Sequence, residues 1–404
     1  MELRDYQIEI ANKAVDILKA KKIVYLQMQV RTGKTLTALE VCKLCYAKKV
    51  LFLTKKKAIG SIKKDYDLFG YKYDITITNN ESMHLIKEVD YDIVIHDESH
   101  RFGSIPKPSV NAKTFKKKFS KIPLILLSGT PTPESFSQIY HQFWISNYSP
   151  FIQKSFYKWA NEFVNVKKKR IGMFDINDYS DAYQDKIKAI TDDYVITYTQ
   201  QQAGFVSEVI EHVLYVEMSS TTTSLIKKLT NDLVVQGKDE VILADTPVKL
   251  MQKIHQLCSG TIKFESGNTQ IIDDTKALFI KEHFKGKKLA IIYKYKAELE
   301  LLNRVFEGNI TESIDEFNAT GKHIVGQVTS IREGTNLSKA DYIVFYNLDF
   351  SATSYWQAKD RMTTIDRLKN EIYFIFSIGG IEKDIYKSVM KKKNFTTSIF
   401  LHFN

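Results

Sequence analysis

Short apolar runs alternate along this chain with longer stretches whose apolar positions recur at helical spacing. The runs at 23–27, 50–54, 75–78, 93–96 and 124–128 are nearly continuous, which fits strands buried on both faces. Helical stretches fall between most of them, the signature of a parallel sheet with crossover helices. Residues 146–208 break the rhythm. They are polar, rich in Tyr, Lys and Asp, and carry Lys167-Lys168-Lys169-Arg170; the expectation is an inserted helical region and connector. A second series follows, with a strand at 209–216 and a helix over 219–235 whose Ser and Thr run suits capping. Pro247 opens another helix through Cys258. Strands are expected at 289–293, 323–328, 342–347 and 372–377, and a helix at 381–393. The pattern predicts an α/β fold of two units, each a mostly parallel sheet flanked by helices. Their expected spans are 1–145 and 209–404, joined by 146–208.

Composition narrows this picture. A length of 404 residues suits two or three domains, and 44% hydrophobic residues suffice for large cores. The formal net charge of +11 favours an acidic partner, nucleic acid above all, unless it reflects only a lysine-rich proteome. Three cysteines cannot build a disulfide framework in so long a chain, so a reducing compartment is expected. Cys42 and Cys45 are three apart on one expected helix, but no further metal ligands lie nearby at suitable spacing, and core packing is the simpler role. The first residues lack a signal peptide's apolar core, and no apolar run reaches membrane-spanning length. A soluble cytoplasmic protein with no membrane partner is the expectation.

Residues 25–35, Tyr-Leu-Gln-Met-Gln-Val-Arg-Thr-Gly-Lys-Thr, read as strand, turn and helix start. Backbone N–H groups in such a turn and at the helix N-terminus point at an anion. Lys34 supplies charge for outer phosphates, the Thr35 hydroxyl can hold Mg²⁺, and Gly33 lets the backbone approach. Arg31 and Thr32 lie within the same loop; Arg31 contacts either the nucleotide or a neighbouring acid. Met28 stands where such loops usually begin with glycine, and a chance Gly-Lys-Thr on a surface turn is the alternative. Some sixty residues later, Asp97 and Glu98 follow a buried run, where ligands bind in open α/β sheets. Asp97 is placed to hold Mg²⁺ and Glu98 to orient and deprotonate an attacking water, the two tasks ATP hydrolysis requires.

Asp97-Glu98-Ser99-His100 resembles the second motif of helicase superfamily two, and Ser128-Gly129-Thr130-Pro131 its third. Leu3-Arg4-Asp5-Tyr6-Gln7 resembles its N-terminal motif, which implies that Gln7 reads the adenine edge. Leu51 to Lys55 and Thr78 to Ser82 resemble its two nucleic-acid-contacting segments. Ser330 to Leu337 resembles the fifth motif and Tyr355 to Arg361 the start of the sixth; Gly334 and Gln357 are the positions there implied for the nucleotide. Val213 to Met218, Leu257-Cys258-Ser259-Gly260 and Ile381 to Ile385 are similar to the Swi/Snf-like branch, in its compact phage or bacterial form. The resemblance implies two RecA-like domains, ATP and Mg²⁺ as ligands, and DNA held mainly by its backbone. By the same resemblance Thr54, Lys55, Asn80 and Thr329 are the candidate nucleic-acid contacts. Lysine clusters at 55–57, 116–118, 167–170 and 391–393 either widen that track or are solvated surface.

The family's sixth motif carries two arginines three residues apart, facing the γ-phosphate from the second domain. Arg361 fits the first; Thr364 occupies the second position and Arg367 lies one helical turn on. Either Arg361 and Arg367 act together, or hydrolysis is slow. The implied activity is that of a monomeric ATP-dependent DNA translocase or helicase on duplex or branched DNA. RNA as substrate, or an ATP-gated clamp that does not move, are the rivals.

Overall fold

The computed structural model describes residues 2–87, 89–171, 174–204, 208–237, 239–331, 337–351, 355 and 369–391. The chain divides into two compact units, 1–205 and 206–404. In the first, strands β1 (Ile23–Met28), β2 (Lys49–Thr54), β3 (Asp74–Asn79), β4 (Ile93–Asp97) and β5 (Leu124–Leu127) form a sheet together with a later strand. Its order is β3-β2-β4-β5-β1, closed at the edge by β8 (Val195–Tyr198), and every pairing is parallel.

Alternation along these strands explains the unbroken apolar runs. Tyr25, Leu51, Leu53, Val94 and Leu126 face one apolar cluster, while Val24, Leu26, Phe52, Ile95 and Leu127 face another. Helix α1 (Asp5–Lys21) and helix α2 (Lys34–Leu44) bury Ile10, Ala14, Leu18, Ala38 and Val41 in the second of these. The sheet is therefore covered on both sides, as an all-parallel sheet requires.

The second unit repeats the plan. Its sheet uses β9 (Glu208–Val216), β14 (Leu289–Tyr293), β15 (Ile310–Thr311), β16 (His323–Gln327), β17 (Tyr342–Phe345) and β18 (Lys369–Ser377), in the parallel order β15-β16-β14-β17-β18-β9. Two small antiparallel hairpins, β10 (Val234–Gln236) with β11 (Val241–Leu243) and β12 (Thr261–Lys263) with β13 (Thr269–Ile271), sit outside it. Ala290, Ile292, Phe345 and Phe374 face one cluster, and Leu289, Ile291, Val344 and Ile375 the other. Two six-stranded parallel sheets flanked by helices are the two RecA-like domains the resemblance implies.

Residues 146–208 differ from the helical connector expected. They hold the helices Phe156–Phe163 and Gln184–Thr191, the antiparallel hairpin β6 (Lys167–Ile171) with β7 (Phe174–Asp178), and the edge strand β8. Two physical reasons apply. Phe151, Phe156, Trp159, Phe163 and Tyr179 join the core of the first unit, and Val195 to Tyr198 pairs with β1. The polar residues between them hid that attachment. Trp159 is fully buried, with its ring 5.2 Å from that of Tyr140 and 5.3 Å from that of Phe163. Trp159→Ala is expected to lower the stability of the first unit by about 3–5 kcal/mol, seen as an earlier urea transition by circular dichroism. A connector outside the core would leave that transition in place.

Candidate active site

Every strand of a parallel sheet leaves at the same edge, so the carboxyl ends of the first sheet collect its chemistry. β1 runs into the loop 29–33, β2 into Lys55, β3 into Asn80, β4 into Glu98 and β5 into Ser128. Register makes this tight: Leu26 and Asp97 both pair with Leu127, Leu53 pairs with His96, and Thr54 with Asn79.

The loop before α2 is braced from two sides. From α1, the Gln7 side chain donates to the Gly33 carbonyl at 3.3 Å while its Oε1 accepts from the Arg4 N–H at 2.9 Å. The Tyr6 hydroxyl donates to the Thr32 carbonyl at 3.1 Å, and its ring stacks on Tyr198 at 4.7 Å. From beyond β8, Gln200 donates through its N–H to Gln29 Oε1 at 2.7 Å and through Nε2 to the Val30 carbonyl at 3.0 Å. Inside the loop, the buried Thr32 hydroxyl donates to the Gln29 carbonyl at 2.7 Å, and Arg31 takes a left-handed φ of 65°. Gly33 has φ 81°, and a Cβ there would lie 2.0 Å from Gln7 Nε2. Its need for glycine thus comes from backbone conformation and from the glutamine packed on it. Lys34 and Thr35 form the first turn of α2, half-buried, where helix N–H groups are open to an anion.

Asp97 and Glu98 follow on β4. The Thr54 hydroxyl donates to Asp97 Oδ2 at 2.9 Å, and the Glu98 N–H donates to Oδ1 at 2.9 Å. Burial first, then the Glu98 charge, push the Asp97 carboxyl up to about 6; the Lys34 charge and these two hydrogen bonds pull it back. Glu98 has φ 54° and lies between Lys55 Nζ, 3.5 Å from Oε1, and His100 Nδ1, 3.4 Å from Oε2. His100 also contacts the Ser128 hydroxyl at 3.0 Å, and burial lowers its pKa to about 4, so the ring is neutral at pH 7.

The structure thus brings together Gln7, Arg31, Thr32, Gly33, Lys34, Thr35, Thr54, Lys55, Asn80, Asp97 and Glu98 at one sheet edge. Two of them have a different setting from the one expected. Thr54 is fully buried with its hydroxyl on Asp97, and Asn80 is buried with Oδ1 3.0 Å from His96 Nε2. The Thr54 hydroxyl serves Asp97 and the Asn80 amide meets the His96 ring, and neither side chain faces an open surface. Thr329 lies in the short helix Val328–Ile331 after β16. Gly334, Gln357, Arg361, Thr364 and Arg367 lie outside the described residues. Sequence reasoning missed Tyr6, Gln200 and His96. The signal for His96 was present, a polar residue ending the buried run that begins Ile93-Val94-Ile95; Gln200 gave none. No group of three or more His, Cys, Asp or Glu side chains among the described residues is arranged to hold a metal unaided.

Residues 1–85 match the family model described as the type III restriction enzyme, res subunit, and residues 273–365 match that of the helicase conserved C-terminal domain. In this order on one chain, the two matches support a helicase of superfamily two, and with it a nucleic-acid-dependent ATPase. No curated protein matches the chain. The chain is similar to two solved structures from Sulfolobus solfataricus. One is a SWI2/SNF2 ATPase core in complex with dsDNA, 17% identical with a TM-score of 0.45, covering 99% of this chain and 92% of that one. The other is the SWI2/SNF2 ATPase core domain, 14% identical with a TM-score of 0.43, covering 97% and 89%.

Because the folded protein keeps the Asp97 proton to about pH 6 while the unfolded chain releases it near pH 4, stability falls as pH rises across that window. In metal-free protein, Asp97→Asn is expected to remove this slope and raise stability at pH 7 by about 2 kcal/mol. Urea unfolding in chelator at several pH values reads both; an unchanged slope would refute the assignment.

Proposed function

We propose that this protein is a Swi/Snf-like ATP-dependent DNA motor that couples hydrolysis to movement on duplex or branched DNA. The observation that carries this reading is the convergence of Gly33-Lys34-Thr35, at a helix N-terminus, with a half-buried acid pair on the next strand but one of the same sheet edge. Lys34 and the N–H groups at the start of α2 take the phosphates. Gln7 keeps one amide N–H and one acceptor lone pair beyond its two internal bonds, which is what an adenine edge needs. Arg31 and Thr32 shape the loop around the nucleotide.

The residues fit Mg²⁺. An Asp97 carboxyl whose charge is opposed by burial and by Glu98 is stabilised by a cation, and the Thr35 hydroxyl supplies a second oxygen. Few protein ligands suit a metal that keeps waters and phosphate oxygens. When bound, it neutralises charge on the phosphate oxygens. Glu98, held between Lys55 and His100, accepts the proton of the attacking water. The neutral His100 ring joins Glu98 to Ser128, so the third motif registers the state of the acid. Arg361, with Arg367 in place of Thr364, is assigned to the charge on the transferred phosphoryl group, and Gly334 and Gln357 to the nucleotide.

DNA is the assigned partner, held mainly by backbone contacts that include Lys55 and Thr329, in line with the charge of +11. Three free cysteines, two of them buried, suit a reducing cytoplasm, and no described helix is long and apolar enough to cross a membrane. The protein is taken to act as a monomer.

Phosphate release measured with duplex DNA, single-stranded DNA and RNA tests the substrate, with duplex DNA expected to stimulate most. Lys34→Ala is expected to abolish both nucleotide binding and turnover; turnover that survives it would end the motor reading. Glu98→Gln is expected to keep ATP affinity while kcat falls about 10²–10⁴-fold. Normal turnover without triplex displacement would instead identify a clamp.

A further inference from the structure

Three side chains reach the loop 29–33 from outside, and each takes hold of a carbonyl. Gln200 Nε2 donates to the Val30 carbonyl at 3.0 Å, the Tyr6 hydroxyl to the Thr32 carbonyl at 3.1 Å, and Gln7 Nε2 to the Gly33 carbonyl at 3.3 Å. A trans peptide points its carbonyl and its N–H in opposite directions, and none of these peptides is cis. Each support therefore also fixes an N–H. Those of Arg31, Gly33 and Lys34 turn away from the side chain that holds the preceding carbonyl. The left-handed φ values at Arg31 and Gly33 belong to the kind of backbone concavity in which successive N–H groups gather on an anion.

Tyr6 and Gln7 come from α1, but Gln200 comes from the turn that follows β8. That turn is held by its own side chains. Thr199 donates through its N–H and its hydroxyl to Gln202 Oε1 at 2.8 and 3.0 Å, the Gln202 N–H donates to the Thr199 hydroxyl at 3.2 Å, and the Tyr198 hydroxyl donates to the Gln202 carbonyl at 3.0 Å. Gly204 closes the turn with φ 82°, its N–H donating to the Gln201 carbonyl at 3.1 Å, and the second unit begins at Val206. The other end of the turn is tied to the loop. The Gln29 N–H donates to the Tyr198 carbonyl at 2.9 Å, and the Gln200 N–H to Gln29 Oε1 at 2.7 Å. The backbone of Gln200 is thus fixed on the loop before its amide reaches Val30.

Resting on the nucleotide-binding reading above, we propose that Gln200 is a positioning residue for the phosphates: it holds the Arg31 N–H toward the nucleotide, and so makes nucleotide affinity depend on the turn 199–204 at the junction with the second unit. Arg31 carries a Cβ and resists its left-handed φ of 65°. Turning over the peptide between Val30 and Arg31 would relieve that resistance. It would also point the Val30 carbonyl oxygen at the phosphates in place of an N–H, and like partial charges repel. The Gln200 amide opposes the turnover by holding that carbonyl on the outside of the loop. Anything that loosens the turn loosens this hold, because Gln200 has its place only through the turn and its bond to Gln29.

The test measures the Kd of ADP with Mg²⁺ by titration calorimetry, and kcat and KM for ATP, well below each melting midpoint. Gln200→Met keeps the length of the side chain and removes its donor. Gln202→Ala leaves every bond to the loop in place and removes the acceptor that holds the turn at Thr199. In Gln200→Met the ADP Kd and the KM for ATP are expected to rise together by about tenfold with kcat little changed, because an N–H lost to the phosphates is lost to ground state and transition state alike. Gln202→Ala is expected to raise both by a smaller factor, and the double variant to bind no more weakly than Gln200→Met, since the two act through one contact. A lower melting midpoint with an unchanged Kd means a merely structural glutamine and overturns the proposal. Losses that multiply in the double variant overturn the role of the turn. If Gln200→Met does not fold, Gln202→Ala decides alone, and an unchanged Kd there overturns the proposal. A wild type that binds no ADP overturns the nucleotide-binding reading itself; a wild type that binds it and variants that bind it equally well overturn only the role of Gln200.

Discussion

A carboxylate held partly out of water must find hydrogen bonds and a counter-charge, and the first unit is arranged around that requirement at Asp97. The Thr54 hydroxyl and the Glu98 N–H occupy its two oxygens, and Lys34 supplies the nearby positive charge. Each comes from a different crossover of one sheet: Thr54 from the end of β2, Glu98 from the end of β4, Lys34 from the helix after β1. Only an all-parallel order brings those three ends to one edge. The fold and the acid are thus one constraint seen at two scales.

The loop of residues 29–33 meets a second constraint, that of backbone shape without its usual first glycine. Met28 closes β1 with its side chain fully buried, and the close approach falls instead to Gly129, where an added Cβ would sit 3.4 Å from both the Met28 carbonyl oxygen and the Val30 nitrogen. The left-handed turn is taken by Arg31, Gln200 holds the strand-side carbonyl of Val30, and Gln7 the helix-side carbonyl of Gly33. Glycine is retained only at Gly33, where conformation and packing both exclude a side chain. A loop braced from α1 and from beyond β8 also explains why residues 195–200 belong with the first unit.

Much of this was legible in the sequence, for reasons that differ by element. Doubly buried strands announce themselves as continuous apolar runs, so β1, β2, β4, β5 and β14 were readable to within a residue or two. The placing of the loop 29–33 and of Asp97 and Glu98 at one sheet edge was readable because each directly follows a continuous apolar run. The region 146–208 was not, because its core contacts are scattered aromatics among charged residues, and the pairing of β8 with β1 joins positions about 170 residues apart. Long-range pairing leaves no local trace. Thr54 and Asn80 lie at the strand ends expected of them, but their partners Asp97 and His96 were not legible, since motif position says where a residue sits, not which way its hydroxyl or amide turns.

That last distinction bears on how such a site can work. A residue that touched only nucleic acid would change affinity and nothing more. Thr54 is instead built into the hydrogen bonding of Asp97, and Asn80 into that of His96 and of the Thr54 carbonyl. Coupling of this kind needs no large displacement, because the intervening groups are buried, close and individually hydrogen-bonded, and a shift of one must be accommodated by the next.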